Sequence, residues 1–97
     1  MTKNNYIVDY YFTKKSEKIG EYDKYDVVEK YKMPAYSSDN ELGDRLDIFI
    51  SRNNFTDIKP TSHDLIFFKN EKKFYQALKV EDAGEFYIID AESYKSR

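Results

Sequence analysis

The chain has 97 residues, enough for one domain, and at this size only about 60 to 65% of the unfolded surface can be buried, so a second core is excluded. Sixteen basic against eighteen acidic side chains leave a net charge of -2 and a pI near 5.4, which argues against a duplex-DNA binder, because displacing phosphate counterions needs clustered Lys and Arg. The absence of cysteine removes disulfides and thiolate zinc sites, no apolar run approaches the roughly 20 residues of a bilayer-spanning helix, and "MTKNNYIVDYY" lacks the order of a signal peptide; the expectation is a cytoplasmic protein that makes no membrane contact.

Residues Tyr6 to Thr13 predict a strand, with Tyr6, Val8, Tyr10 and Phe12 on one face. "KKSEKIGEYDK" is polar, holds Gly20 and has no sustained period, so it reads as a long connection. "YDVVEKYKM" resumes alternation through Tyr25, Val27, Tyr31 and Met33, and Pro34 ends it. In "SSDNELGDRLDIFISRNN" the period changes: Leu42, Leu46, Phe49 and Ile50 make one helical stripe. Ser38 and Glu41 have capping-box spacing there, and Gly43 marks close packing of the helix on the sheet. After "TDIKPTS", the apolar run Leu65 to Phe68, the turn "KNEKK" and the strand "FYQALKV" form a hairpin. In that last strand Phe74, Gln76, Leu78 and Val80 share one face. "EDAG" turns the chain again, "EFYIID" is the last strand, and the polar tail frays.

The expected fold is α+β: a single domain over residues 1 to 97, ordered from about 5 to 91, with a twisted antiparallel sheet in the order β-β-α-β-β-β and one helix on its apolar face. The expected core is Val8, Tyr10, Phe12, Val27, Tyr31, Leu42, Leu46, Phe49, Ile50, Ile66, Phe68, Leu78, Val80 and Ile88.

"PTSHDLIFF" sets the one histidine, His63, between Ser62 and Asp64. Neighbours entering a strand point to opposite faces, whereas a nucleophile, its base and the orienting carboxylate must be bonded in one line. The stretch therefore reads as a turn in which Thr61 or Ser62 and Asp64 bond nearby backbone N–H groups, not as a catalytic site. One histidine and no cysteine give no metal site, and three isolated glycines give no phosphate cradle. No enzyme activity, cofactor, metal or small-molecule substrate is expected.

What remains is surface chemistry. Glu81, Asp82, Glu85, Asp90 and Glu92 occur without an intervening Lys or Arg, interleaved with Phe86 and Tyr87, and "EYDKYD" repeats the pattern with Glu21, Tyr22, Asp23, Tyr25 and Asp26. Rings give contact area at low entropy cost and acids steer approach to Lys and Arg. The expected partner contacts are thus Glu21, Tyr22, Asp23, Tyr25, Asp26, Glu81, Asp82, Glu85 and Tyr87, meeting a basic surface on a host protein, with the chain a monomer or homodimer. The alternative is a single-stranded nucleic-acid site at Lys69, Lys72, Lys73, Phe74 and Tyr75.

Several stretches resemble the YodL-like small domains of Gram-positive bacteria and their mobile elements. These are "NELGDRLDIFISRNN" for the family's helix, Thr61-Ser62-His63-Asp64 leading into "LIFF", Phe74-Tyr75, and Gly84-Glu85-Phe86. His63 departs from the glycine usual in that family, and an extra residue separates Gly84 from its aromatic. The resemblance implies a non-enzymatic interaction domain without a cofactor. Together with size and localised acidity it sets the functional expectation: an acidic inhibitor or accessory factor of a phage or mobile element, acting on host defence machinery of the CRISPR type or on nucleic-acid-handling proteins.

Overall fold

The computed structural model describes residues 4–19, 22–37 and 42–94, and within them side chains alternate between buried and more exposed along 7–12, 45–50, 65–68 and 86–91. Six antiparallel strands result: β1 (Asn4–Ile19), β2 (Tyr22–Ser37), β3 (Arg45–Ser51), β4 (Leu65–Phe68), β5 (Lys73–Asp82) and β6 (Phe86–Ser93). They close in the order β1-β2-β3-β6-β5-β4 into a barrel, so β1 stands across the interior from β6 and β4 across from β3.

The expected helix is absent from the described residues, and the α+β reading falls with it. Residues 45–51 form β3, followed only by a single 3-10 turn, Arg52–Asn54. Leu42, Leu46, Phe49 and Ile50 do fit a helical stripe, but Leu46, Ile48 and Ile50 fit a strand equally well. The run Ile48-Phe49-Ile50 favours the pleated form once β6 offers an unbroken ladder from Arg45↔Glu92 to Ser51↔Phe86. Leu46, Ile48 and Ile50 are buried, whereas Phe49 points outward against Tyr36. Ser38 and Glu41 lie outside the described residues. Gly43 has open space where a Cβ would stand, so close packing does not explain it; its carbonyl accepts a 2.6 Å bond from the Tyr75 hydroxyl.

The polar stretch expected as a connection instead continues the β1–β2 ladder as far as Ile19↔Tyr22. Beyond the shift at Phe12/Thr13, where Val28 is the extra residue, the ribbon runs past the barrel as an arm, with a second shift at Lys15/Glu17. No sheet covers this arm, which leaves Val27 51% exposed; Tyr31, opposite Tyr10 before the shift and edge-on to Phe12, is 49% exposed, so neither is a core residue. A bulge between Ala77 and Lys79 corrects β5 in the same way: Tyr75 and Ala77 point inward, Leu78 is extruded, and Val80 packs inward again. Ile88 faces outward and Ile89 takes its place in the core.

Rings fill the interior. Phe55, carried past β3 by the 3-10 turn, plugs one barrel end with edge-on contacts to Tyr10, Phe12 and Tyr87 at 5.4, 5.8 and 5.3 Å, and Phe68 packs between Tyr6 and Tyr75. Small side chains at Ala35, Ala77 and Ala91 make room for them.

Candidate functional site

The Thr61–Asp64 turn is built around a buried carboxylate. Asp64 accepts from the Thr61 N–H at 2.8 Å, the Thr13 N–H at 2.9 Å and the Tyr10 hydroxyl at 2.7 Å, with the Thr13 and Thr61 hydroxyls at 3.3 and 3.2 Å. Burial first, then the charge and hydrogen bond of Asp64, push the Tyr10 phenol far above its ordinary range. The Asp64 N–H closes the turn on the Thr61 carbonyl, and the strand-entering backbone pairs with β5 through His63 N–H to the Ala77 carbonyl. His63 has φ of 79°, the left-handed value that the third position of a type II turn requires and that favours glycine. Its ring lies flat on Tyr25 of the arm, centroids 4.0 Å apart and planes 10° from parallel. Ser62 is exposed, so serine, histidine and aspartate each face a different neighbourhood.

Arg52 organises the β5–β6 hairpin. Its Nε donates to the Gly84 carbonyl at 2.6 Å, one terminal nitrogen to the Tyr87 hydroxyl at 3.2 Å and the other to Asp82, while the guanidinium covers the Tyr87 ring at 4.9 Å. Its own N–H bonds the Glu85 carbonyl. Gly84, at φ 90°, takes the first position of the two-residue loop Gly84–Glu85, closed by Ala83 N–H to the Phe86 carbonyl. Hydrogen bonding to Arg52, then to the Gly84 N–H, holds the Asp82 carboxyl below its ordinary value, and the Arg45 hydrogen bonds do the same for Asp90.

The expected contact residues are therefore dispersed. Tyr87, 5% exposed, and Tyr75, 1% exposed, are core side chains and offer no ring to a partner or a base. Asp82 is engaged by Arg52, and Lys73 donates to the Leu42 carbonyl. Glu81 and Glu85 are exposed on β5 and the hairpin, and Asp26 is exposed on the arm beside Tyr25. Tyr22 and Asp23 open β2 opposite Ile19 and Lys18, and Glu21 lies outside the described residues. Antiparallel register puts the arm and the β5–β6 hairpin at the same barrel end, on strands that stand across from each other. Between arm and 3-10 turn a cleft of about 310 Å³ is lined by Phe12, Glu29, Tyr31, Phe55, Asp57 and Ile58 among others.

Two outer faces emerge that sequence reading missed, because cross-strand neighbours come from distant segments. On one, the rows Asp47–Asp90–Lys79 and Phe49–Ile88–Glu81 cross β3, β6 and β5, with Arg45 beside Glu92 at the next row; Asp47, Phe49, Lys79, Glu81, Ile88 and Asp90 line one shallow depression. On the other, the rows Lys30–Tyr11–Leu65 and Lys32–Asp9–Phe67–Phe74 cross β2, β1, β4 and β5. Phe67 and Phe74 stack at 4.4 Å, Lys30 lies 5.9 Å from the Tyr11 centroid, and Lys69 and Lys72 are exposed at the adjoining turn.

No protein-family model matches the chain, and neither a curated protein nor a solved structure matches it. Of the stretch that resembles the YodL-like helix, residues 45–51 form β3 and 52–54 a 3-10 turn, and its described residues hold no α-helix. No helix of the described residues is long and apolar enough to cross a membrane.

Proposed function

We propose that the protein is a non-enzymatic protein-binding module, an acidic inhibitor or accessory factor that seats the β3–β6–β5 face on a basic protein surface. The observation that carries this reading is the depression in which Asp47 and Glu81 lie beside Phe49 and Ile88, together with Lys79 and with Asp90, which Arg45 holds. Apolar contact at the centre supplies lifetime, and carboxylates at the rim supply steering and register. Exposed Phe86 and Glu85 extend the same chemistry to the hairpin. The reversal Asp47→Lys with Glu81→Lys tests it by capture from a host lysate: lost capture is expected, and capture unchanged from wild type would reject the face. Asp82 is left alone in this test because Arg52 uses it structurally.

A second reading, single-stranded nucleic-acid binding, draws on Tyr11, Phe67 and Phe74 with Lys30, Lys32, Lys69 and Lys72 rather than on Tyr75. Anisotropy of a labelled thymidine oligonucleotide at low salt separates the two, since base stacking on these rings would give binding that Phe74→Ala weakens.

A further inference from the structure

The two outer faces are complementary and belong to opposite sides of one closed ring of strands. Strand order sets β1 and β4 across the interior from β6 and β3. Lys30 and Lys32 flank the exposed rings on the first side; Asp47 and Glu81 flank Phe49 and Ile88 on the second, with Glu92 two rows further along β6. Each side also bears exposed apolar area, Ile7 and Phe74 on one, Leu78 and Phe86 on the other. Asp9 among the lysines, and Arg45 and Lys79 among the acids, add charges that fix register and do not reverse the sign of either face. A net charge of only -2 gives weak overall repulsion between copies.

We propose that the lysine-and-aromatic face receives the acidic face of a second copy of this chain, so that copies associate head to tail. The proposal rests on the acidic face being a protein-binding surface and names its partner. An isologous contact would set acid against acid or lysine against lysine, which like-charge repulsion disfavours; a heterologous contact pairs opposite signs at every step. Because the two faces point away from each other, two copies leave one face of each sign unused, and growth continues to a ring or a filament.

The test is sedimentation velocity of the purified full chain over a concentration series at low and high salt. Wild type is expected to grow with concentration at low salt and to fall back toward the monomer at high salt. Lys30→Glu with Lys32→Glu, and separately Asp47→Lys with Glu81→Lys, each weaken self-association by at least about tenfold while circular dichroism stays unchanged. An equimolar mixture of the two variants associates again, since the intact acidic face of one meets the intact lysine face of the other. A wild-type chain that stays monomeric throughout the low-salt series, or a mixture that stays monomeric, overturns the proposal. Lysate capture that still depends on Asp47 and Glu81 would then leave the acidic face standing with a different partner, and capture indifferent to them would remove that reading as well.

Discussion

Asp64 shows how much of this fold hangs on one side chain. Its carboxylate gathers donors from β1 and from its own turn, so it fixes the place where β1 leaves the barrel and the place where β4 enters it. Asp64→Asn keeps the volume but turns an NH2 toward groups that donate, and should cost about 2 to 4 kcal/mol in urea unfolding. A loss under about 0.5 kcal/mol would mean the donors find other acceptors. His63 calls for the opposite kind of test. A left-handed residue other than glycine is strained, and the Tyr25 ring stacked on it offsets the strain. His63→Gly should therefore be more stable than His63→Ala by about 1 kcal/mol, the reverse of the order at an ordinary β position. Equal melting temperatures for the two would remove strain as the reason. The turn itself was legible in "PTSHD", because Thr, Ser and Asp before a strand bond local N–H groups. The buried network was not: the hydroxyl of Tyr10 lies 54 residues away in the chain, and no local pattern carries such a pairing.

At the level of elements, strands with clean alternation and an apolar end were readable: residues 6 to 13 within β1, all of β4, and most of β6. Three features hid the rest. In β3 an apolar set fits both periods, and the partners that decide between them lie 35 to 47 residues downstream, from Ser51↔Phe86 to Arg45↔Glu92. In β5 one bulge inverts the parity halfway along. In the arm the alternation of Tyr25 and Val27 marks no buried face: Val27 stays exposed, and Tyr25 takes the His63 ring. The β3 assignment makes a sharp prediction: Leu46→Ala and Ile48→Ala should each cost about 2 to 5 kcal/mol in thermal melts, whereas Phe49→Ala, outward against Tyr36, should cost under about 1.5. A helix would make Phe49 severe and Ile48 mild, so the reverse order refutes the strand. The Arg52 clamp predicts a pH effect confined to its hairpin. Asp82 and Asp90 titrate below the ordinary carboxylate value of 3.8, so their ion pairs contribute fully above that pH and are lost as pH falls below it through the lowered values. Carboxyl carbon shifts followed by NMR should show both midpoints below 3.8, and Arg52→Ala should raise Asp82 toward it, the Gly84 N–H still holding part of the shift, while leaving Asp90 low. An unmoved Asp82 midpoint in that variant would take the hairpin's organisation away from Arg52.

For the molecule as a whole, the barrel is closed by seams of very unequal strength. β1 and β2 share a ladder from Asn4↔Ser37 outward, and β3 and β6 pair along the whole of β3, but among the described residues β2 meets β3 at the single pair Tyr36↔Phe49. Opening there would turn the ring into a sheet with two raw edges and would expose the ring stack that runs from Phe55 through Tyr10, so the weakest seam guards the aromatic core. Directly opposed residues of an antiparallel pair stand at about the separation a disulfide spans. The double variant Tyr36→Cys with Phe49→Cys should therefore oxidise readily, and the crosslink, closing a short loop, should raise stability by about 3 kcal/mol over the same variant reduced. Comparing the two redox forms of one protein cancels the loss of the Tyr36–Phe49 ring pair. An oxidised form no more stable than the reduced one would mean that the crosslink strains the native pair by as much as it restricts the unfolded chain, so that Tyr36 and Phe49 do not stand directly opposed and the barrel has to be held shut from within, by Phe55 and the rings around it.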